Sequence, residues 1–174
     1  MAEIEIKILE INRAQVIEKL DALGAIKVFD DEHHAIYYDL PDKTLYNGGK
    51  ALRLRKEGSA AMLTLKLNVP NATAKERIEH QAEVSDFIEM QSMLEALGYV
   101  PWLEMKKHRT SFEWDGSYFE LDRYHDEYEF IPEFLEIESH NMGQLYRHAE
   151  ILGFTKEDCK AWDAMQLISY YRRT

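Results

Sequence analysis

Charged and apolar side chains alternate residue by residue at the start of this chain, where Glu3, Glu5 and Lys7 interleave with Ile4, Ile6 and Ile8. Successive side chains of a strand point to opposite faces, so one face is ionic and the other apolar. The alternation recurs along the chain. Arg53 and Arg55 flank Leu54, Lys66 shares a face with Thr64, and Arg77, Glu79 and Gln81 alternate in the next run. Lys107 with Arg109, Glu120 with Asp122, and Glu136 with Glu138 follow. Seven basic and seven acidic side chains thus sit at period-two positions of strand-like segments. Two architectures satisfy such strands. An antiparallel sheet can pack its apolar face on helices and leave the charged face in water. Alternatively, the sheet closes on itself with the charged faces inward and helices outside. Small barrels ordinarily fill their interior with apolar side chains. A lumen of both signs is costly unless the charges meet one another, water, metal ions or a polyanion.

The 174 residues suit one domain with ample chain for a core. An apolar fraction of 45% with three Trp excludes disorder. The net charge of −11 argues against a nucleic-acid partner, which needs a basic surface, although a local basic cavity remains compatible with it. Cys159 is the only cysteine, which excludes an internal disulfide and a cysteine-rich zinc site. No apolar run approaches the ~18 residues of a membrane span. The N-terminus enters a strand directly, without a signal-like region. These features lead us to expect a cytoplasmic protein with no membrane partner.

Asn12 is placed to cap a helix through Val16, Ile17, Leu20 and Leu23 that stops at Gly24. Residues 25–29 and 35–39 read as strands, with a turn or an exposed strand section at 30–34. There His33-His34 reads as polar turn rather than metal ligand. A loop at 40–49 precedes a hairpin of 51–56 and 60–67, and a second loop covers 68–74. Residues 75–84 form a strand. Ser85 then caps a helix ending at Gly98. Residues 102–114, 117–124 and 134–139 are three more strands. Asn141 starts a helix ended by Gly153, and Thr155 starts the last one, carrying Trp162, Met165, Leu167 and Ile168. About eight strands and four helices, mostly with short antiparallel connections, make an α+β fold.

Crowded carboxylates repel, so Glu3, Glu5, Glu136 and Glu138 held together favour a divalent cation. Hard oxygen ligands suit Mg²⁺ or Mn²⁺ rather than zinc. Guanidinium and ammonium groups in the same cavity suit phosphate oxygens. Several of them along one channel fit a linear triphosphate. No Gly-x-x-x-x-Gly-Lys-Ser/Thr string occurs, so a phosphate site here is built from side chains.

Glu3-Ile4-Glu5-Ile6-Lys7 resembles the Glu-x-Glu-x-Lys signature of the CYTH superfamily, the triphosphate tunnel metalloenzymes. The likeness continues in register. Tyr38-Asp39-Leu40-Pro41-Asp42, Leu45 and Gly49-Lys50-Ala51-Leu52-Arg53-Leu54-Arg55 resemble the second block. Leu63-Thr64-Leu65-Lys66, Arg77-x-Glu79, Lys107-His108-Arg109, Leu121-Asp122 and Phe134-Leu135-Glu136-Ile137-Glu138 complete the order. The resemblance implies a closed eight-stranded antiparallel β-barrel, a tunnel with a charged lumen and helices packed outside, over residues 1–174 as a single domain. It implies that Glu3, Glu5, Glu136 and Glu138 hold catalytic metal, and that Glu79 and Asp122 join in metal binding or orient water. Lys7, Arg53, Arg55, Lys66, Arg77, Lys107 and Arg109 are implied to grip the phosphates. Gln81 stands where the family usually has a second Glu, keeping an oxygen but losing the charge.

The expected activity is metal-dependent hydrolysis of a triphosphate-containing small molecule, inorganic triphosphate above all. A class IV adenylyl cyclase or a thiamine triphosphatase would use the same tunnel. A module that binds triphosphate or polyphosphate without cleaving it is the non-catalytic alternative. Asn47-Gly48-Gly49-Lys50 does not resemble the more polar, threonine- and acid-bearing segment of the cyclase branch. Tyr37 and Tyr38 read as strand packing, Cys159 as inert, and the apolar residues of the last helix as a surface able to mediate a homodimer.

Overall fold

The computed structural model describes residues 4–68 and 77–172, with Arg77 described by its backbone alone. Glu3, the side chain of Arg77 and the expected loop beyond Asn68 lie outside the described residues. Alternation of Ile with charge makes β1 (Ile4–Ile8), whereas β2 (Ile26–Asp39) lacks it, and alternation recurs in β3 (Lys50–Glu57), β4 (Ala60–Asn68) and β5 (Arg77–Val84). It returns in β6 (Val100–Trp114), β7 (Ser117–Tyr124) and β8 (Phe134–Ser139), and a two-residue β9 (Cys159–Lys160) follows. The helices are α1 (Arg13–Ala22), α2 (Thr44–Asn47), α3 (Phe87–Ala96), α4 (Met142–Ile151) and α5 (Ala164–Arg172). The fold is α+β, with a nine-strand antiparallel sheet hydrogen-bonded in the order β5-β4-β3-β2-β6-β7-β8-β1-β9. Among the described residues, no hydrogen bonds join β5 to β9.

The chain divides into two compact units, residues 1–31 with 107–174 and residues 32–106. In the first, β1 pairs with β8 and β9, and β7 joins β6 to β8. Its core gathers Ile6, Ile8, Phe119, Leu121, Leu135 and Ile137 from the strands, with Val16, Leu20, Leu145 and Ala149 from α1 and α4 and Leu152 at the end of α4. Several of these are completely buried, and a fully buried Leu or Ile contributes roughly 1.5–3 kcal/mol. In the second unit, β2, β3, β4 and β5 pair in sequence order. Ile36, Tyr38, Leu54, Ala61 and Val84 pack on Leu94 of α3. Burial pushes the Tyr38 hydroxyl up to about 12, with Glu95 and Glu104 adding to the shift. Tyr38 is therefore packing, as expected.

Local chemistry fixes the corners. Asn12, Asp86 and Asn141 each accept a backbone N–H in the first turn of α1, α3 and α4. Each helix then ends on Leu-Gly. The glycines Gly24, Gly98 and Gly153 take φ of 75°, 90° and 85°, which favours a residue without a side chain. The next residue donates back to the last turn: Ala25 to Leu20, Tyr99 to Leu94 and Phe154 to Ala149. Asp86, not Ser85, caps α3, because its carboxylate reaches the Glu89 N–H at 2.9 Å.

Four other expectations change. Residues 26–39 form one strand, so of the two readings of 30–34 the exposed strand section holds and the turn does not: Glu57 lies 3.3 Å from His33 and Glu104 2.8 Å from His34 across the sheet. The expected loop at 40–49 contains α2. There the buried Asp39 carboxylate accepts the backbone N–H groups of Leu40, Leu45 and Tyr46 at 2.7, 2.9 and 2.8 Å. Thr155 caps a single 3-10 turn, reciprocated by Asp158, and the chain is then captured as β9 beside Lys7 and Ile8. The last helix starts at Ala164, where Asp163 and Gln166 each accept the other's backbone N–H. No helix among the described residues is long and apolar enough to cross a membrane.

Candidate active site

The charged face of the first unit is built by parity. Glu5 and Lys7 project from β1, Lys107 and Arg109 from β6, Glu120 and Asp122 from β7, and Glu136 and Glu138 from β8. The register sets Lys7 beside Glu136, Glu136 beside Glu120, Glu5 beside Glu138, and Arg109 beside Asp122. Lys7 with Glu136 and Arg109 with Asp122 are opposite charges on adjacent strands, whereas Glu136 with Glu120 and Glu5 with Glu138 crowd carboxylates together.

Asp122 is completely buried. It accepts Lys107 Nζ at 2.5 Å and both Nε and Nη2 of Arg109, at 2.8 and 2.7 Å. Arg109 Nη1 pairs with Glu120, and its Nη2 lies 3.6 Å from Glu136. Lys7 Nζ lies 3.2 Å from Glu136 and 3.4 Å from Glu5. Burial works against the charge on Lys7, but Glu136 and Glu5 outweigh it and raise its pKa. Burial likewise opposes ionisation of Asp122 and Glu136. The neighbouring Arg109 and Lys107 outweigh it for Asp122, and Lys7 with Arg109 for Glu136, so both carboxyls are held below the usual range.

Glu138 goes the other way, raised by burial and by the nearby Glu120 and Glu136 charges. Burial also pushes Glu120 up to about 7, with Arg109 opposing and Glu136 and Asp122 reinforcing. The folded protein thus binds these protons more tightly than the unfolded chain. For Glu120 the stabilisation is complete below the unfolded value of 4.5 and is lost as pH rises through about 7, and Glu138 acts in the same sense. Asp122 and Glu136 act in the opposite sense, at lower pH. The melting temperature of the metal-free protein is therefore expected to fall between pH 5 and pH 8, and Glu120→Gln to flatten that slope. Scanning calorimetry across the range checks it, and an identical slope in the variant would refute it.

Glu5, Glu136 and Glu138 each offer an oxygen, and these lie within 4.8 Å of one another. A set of hard carboxylate oxygens fits Mg²⁺ or Mn²⁺. The face carries five carboxylates against three cations, a formal −2 when all are ionised. Asp122 stands outside the carboxylate trio, committed to Lys107 and Arg109.

The second unit holds its own charged face. Tyr37, Arg53, Thr64 and Gln81 lie in one cross-strand row, with Lys66 and Glu79 in the next. Lys66 pairs with Glu79 at 2.5 Å, and Gln81 donates its amide to Glu79 at 3.0 Å. Burial opposes the Glu79 charge, but Lys66 prevails and lowers its pKa. Arg53 keeps its charge against burial through Tyr37 and Glu79. Arg55 lies 3.3 Å from Glu57.

Lys7, Lys107, Arg109, Glu5, Asp122, Glu136 and Glu138 are thus brought together in one unit, and Arg53, Arg55, Lys66 and Glu79 in the other. Two neighbours had no assigned role. Glu120 was visible in the alternation with Asp122 but carried no signal of its own. Tyr37, expected to be strand packing, reaches Arg53 because it shares that residue's face.

A family model described as CYTH domain matches residues 1–152. The chain belongs to the CYTH domain family. One relative of this CYTH domain, from Methanocaldococcus jannaschii, is named "Putative adenylate cyclase MJ0240". It is 25% identical over 138 residues, which cover 79% of this chain and 77% of the relative. Among solved structures, the PH1012 protein from Pyrococcus horikoshii OT3 is 26% identical, with a TM-score of 0.77 over 95% of this chain and 98% of that one. A structure from Vibrio parahaemolyticus, described as "a putative adenylate cyclase", has a TM-score of 0.81 at 20% identity, over 97% of this chain and 98% of that one. That last likeness concerns the fold alone.

Proposed function

We propose that this CYTH domain is a metal-dependent hydrolase of triphosphate substrates, with inorganic triphosphate as the preferred one. The observation that carries the reading is the set of three cations interleaved with five carboxylates on one strand face. Glu5, Glu136 and Glu138, with Glu3, would hold Mg²⁺ or Mn²⁺. When bound, such a cation neutralises charge on phosphoryl oxygens. Lys7 and Lys107 offer point charges to those oxygens, and Arg109 offers a planar fork able to take two. Arg53, Arg55, Lys66 and Arg77 supply further phosphate contacts. Asp122 or Glu79 would accept a hydrogen bond from the attacking water and orient it, since both carboxyls stay ionised at neutral pH. Closure of the strands into one tunnel-shaped domain over residues 1–174, which the CYTH resemblance implies, is part of this proposal.

The name of the M. jannaschii relative favours a second reading, conversion of ATP to cyclic AMP and pyrophosphate. One panel separates the two. The protein is incubated with inorganic triphosphate, ATP or thiamine triphosphate under Mg²⁺, Mn²⁺ or Ca²⁺, and the products are resolved by chromatography. Free phosphate from inorganic triphosphate is the expected result. Cyclic AMP from ATP would replace hydrolysis by cyclisation, and binding with no turnover under any metal would leave a binding module.

A further inference from the structure

Glu136 belongs to two constellations at once. Its Oε2 faces Lys7 Nζ at 3.2 Å and Arg109 Nη2 at 3.6 Å. It also converges with Glu5 and Glu138 in the carboxylate trio. Lys7 has a second carboxylate neighbour, Glu5 at 3.4 Å, and that residue is a trio member too. Both side chains that neutralise Lys7 are therefore those best placed to hold a divalent cation. Lys107 differs, because its carboxylate is Asp122, outside the trio. Charge that a carboxylate shares with a divalent cation is charge withdrawn from a neighbouring ammonium or guanidinium.

Resting on the triphosphate reading above, we propose that Glu136 is an exchangeable counter-ion. In the metal-free site it occupies Lys7 and Arg109. When a divalent cation joins it to Glu5 and Glu138, Lys7 is released to phosphoryl oxygens and Arg109 is partly released. Lys107 stays braced by Asp122 in both states. Cation and polyphosphate then bind with positive coupling, and the coupling is reciprocal. Without the cation, a polyanion meets a face whose basic groups are already paired with carboxylates.

The test uses two calorimetric titrations on the wild type, Glu136→Gln and Glu138→Gln: inorganic triphosphate in EDTA, and Mn²⁺ alone. Glu136→Gln is expected to bind metal-free triphosphate at least ~tenfold tighter than the wild type and Mn²⁺ at least ~tenfold weaker, a reversal of sign between the two ligands. Glu138→Gln should weaken Mn²⁺ binding and leave metal-free triphosphate within about threefold, because Glu138 makes no ion pair among the described residues. If Glu136→Gln does not fold by circular dichroism, Glu136→Asp gives the same pair of readings with smaller changes. The counter-ion role fails if Glu136→Gln binds metal-free triphosphate no tighter than the wild type, or if Glu138→Gln gains as much. A wild type that binds Mn²⁺ but no triphosphate, even with Ca²⁺ present, would sink the triphosphate reading itself.

Discussion

Glu5→Gln is expected to lower Mg²⁺- or Mn²⁺-dependent turnover of inorganic triphosphate by roughly a hundredfold, and Lys7→Ala by a comparable factor. The glutamine keeps an oxygen where Glu5 meets Glu136 and Glu138, but it removes one of three negative charges from the set. Loss of a residue that merely orients a metal ligand costs ~10–100-fold, so loss of a ligand's charge belongs at the upper end of that range. Lys7→Ala acts from the other side. It deletes a phosphate contact and leaves Glu5 and Glu136 without the ammonium 3.4 and 3.2 Å away. The two variants should differ in what rescues them. Raising the metal concentration should recover part of the activity of Glu5→Gln and little of that of Lys7→Ala. Initial rates across a metal titration read both effects, and full activity in both variants would defeat the assignment of this face as the active site.

The largest expected stability effect is at Asp122. Its carboxylate takes three charge-assisted hydrogen bonds from Lys107 and Arg109, and it is fully buried. Asp122→Ala would leave both cations in a poorly solvated place with one neutralising partner removed. Breaking a buried ion pair from one side costs about 3–5 kcal/mol, against a total of ~5–15 kcal/mol for a domain. For a chain of this size the melting temperature should drop by roughly 6–20 °C. Added inorganic triphosphate should raise the melting temperature of Asp122→Ala more than that of the wild type, since the polyanion replaces the missing charge. A variant melting within a degree or two of the wild type would show that Asp122 does not hold these cations in solution.

The parts of the fold that could be read from the chain are those whose cause is local. Strands β1, β7 and β8 follow from period-two alternation, and the ends of α1 and α4 follow from Asn before and Leu-Gly after. The misread parts depend on distant partners. Nothing near His33 and His34 announces that Glu57 and Glu104 will lie beside them and keep the strand going. Thr155 carries the same capping chemistry whether a helix or a single turn follows, and pairing of Cys159 and Lys160 with β1 decides the outcome. The candidate site divides in the same way. Parity shows which charges share a face. It does not show that Asp122 will be committed to Lys107 and Arg109, nor that Glu120 will sit between Arg109 and two other acids and retain its proton to near neutrality.

The pairing of Ile4–Ile8 with residues 135–139 has a consequence for biosynthesis. β1 leaves the ribosome long before β8, the strand it hydrogen-bonds to. At about 5–20 residues per second, its three isoleucines wait on the order of 6–27 s for that partner. Until then the nascent segment is an apolar ribbon with unsatisfied backbone on both edges, the kind of element that recruits a neighbouring chain. The ionic side of the same ribbon, Glu5 and Lys7, keeps one surface hydrated during the delay. The side chains proposed to meet metal and phosphate in the finished protein are thus expected also to oppose aggregation of the growing chain.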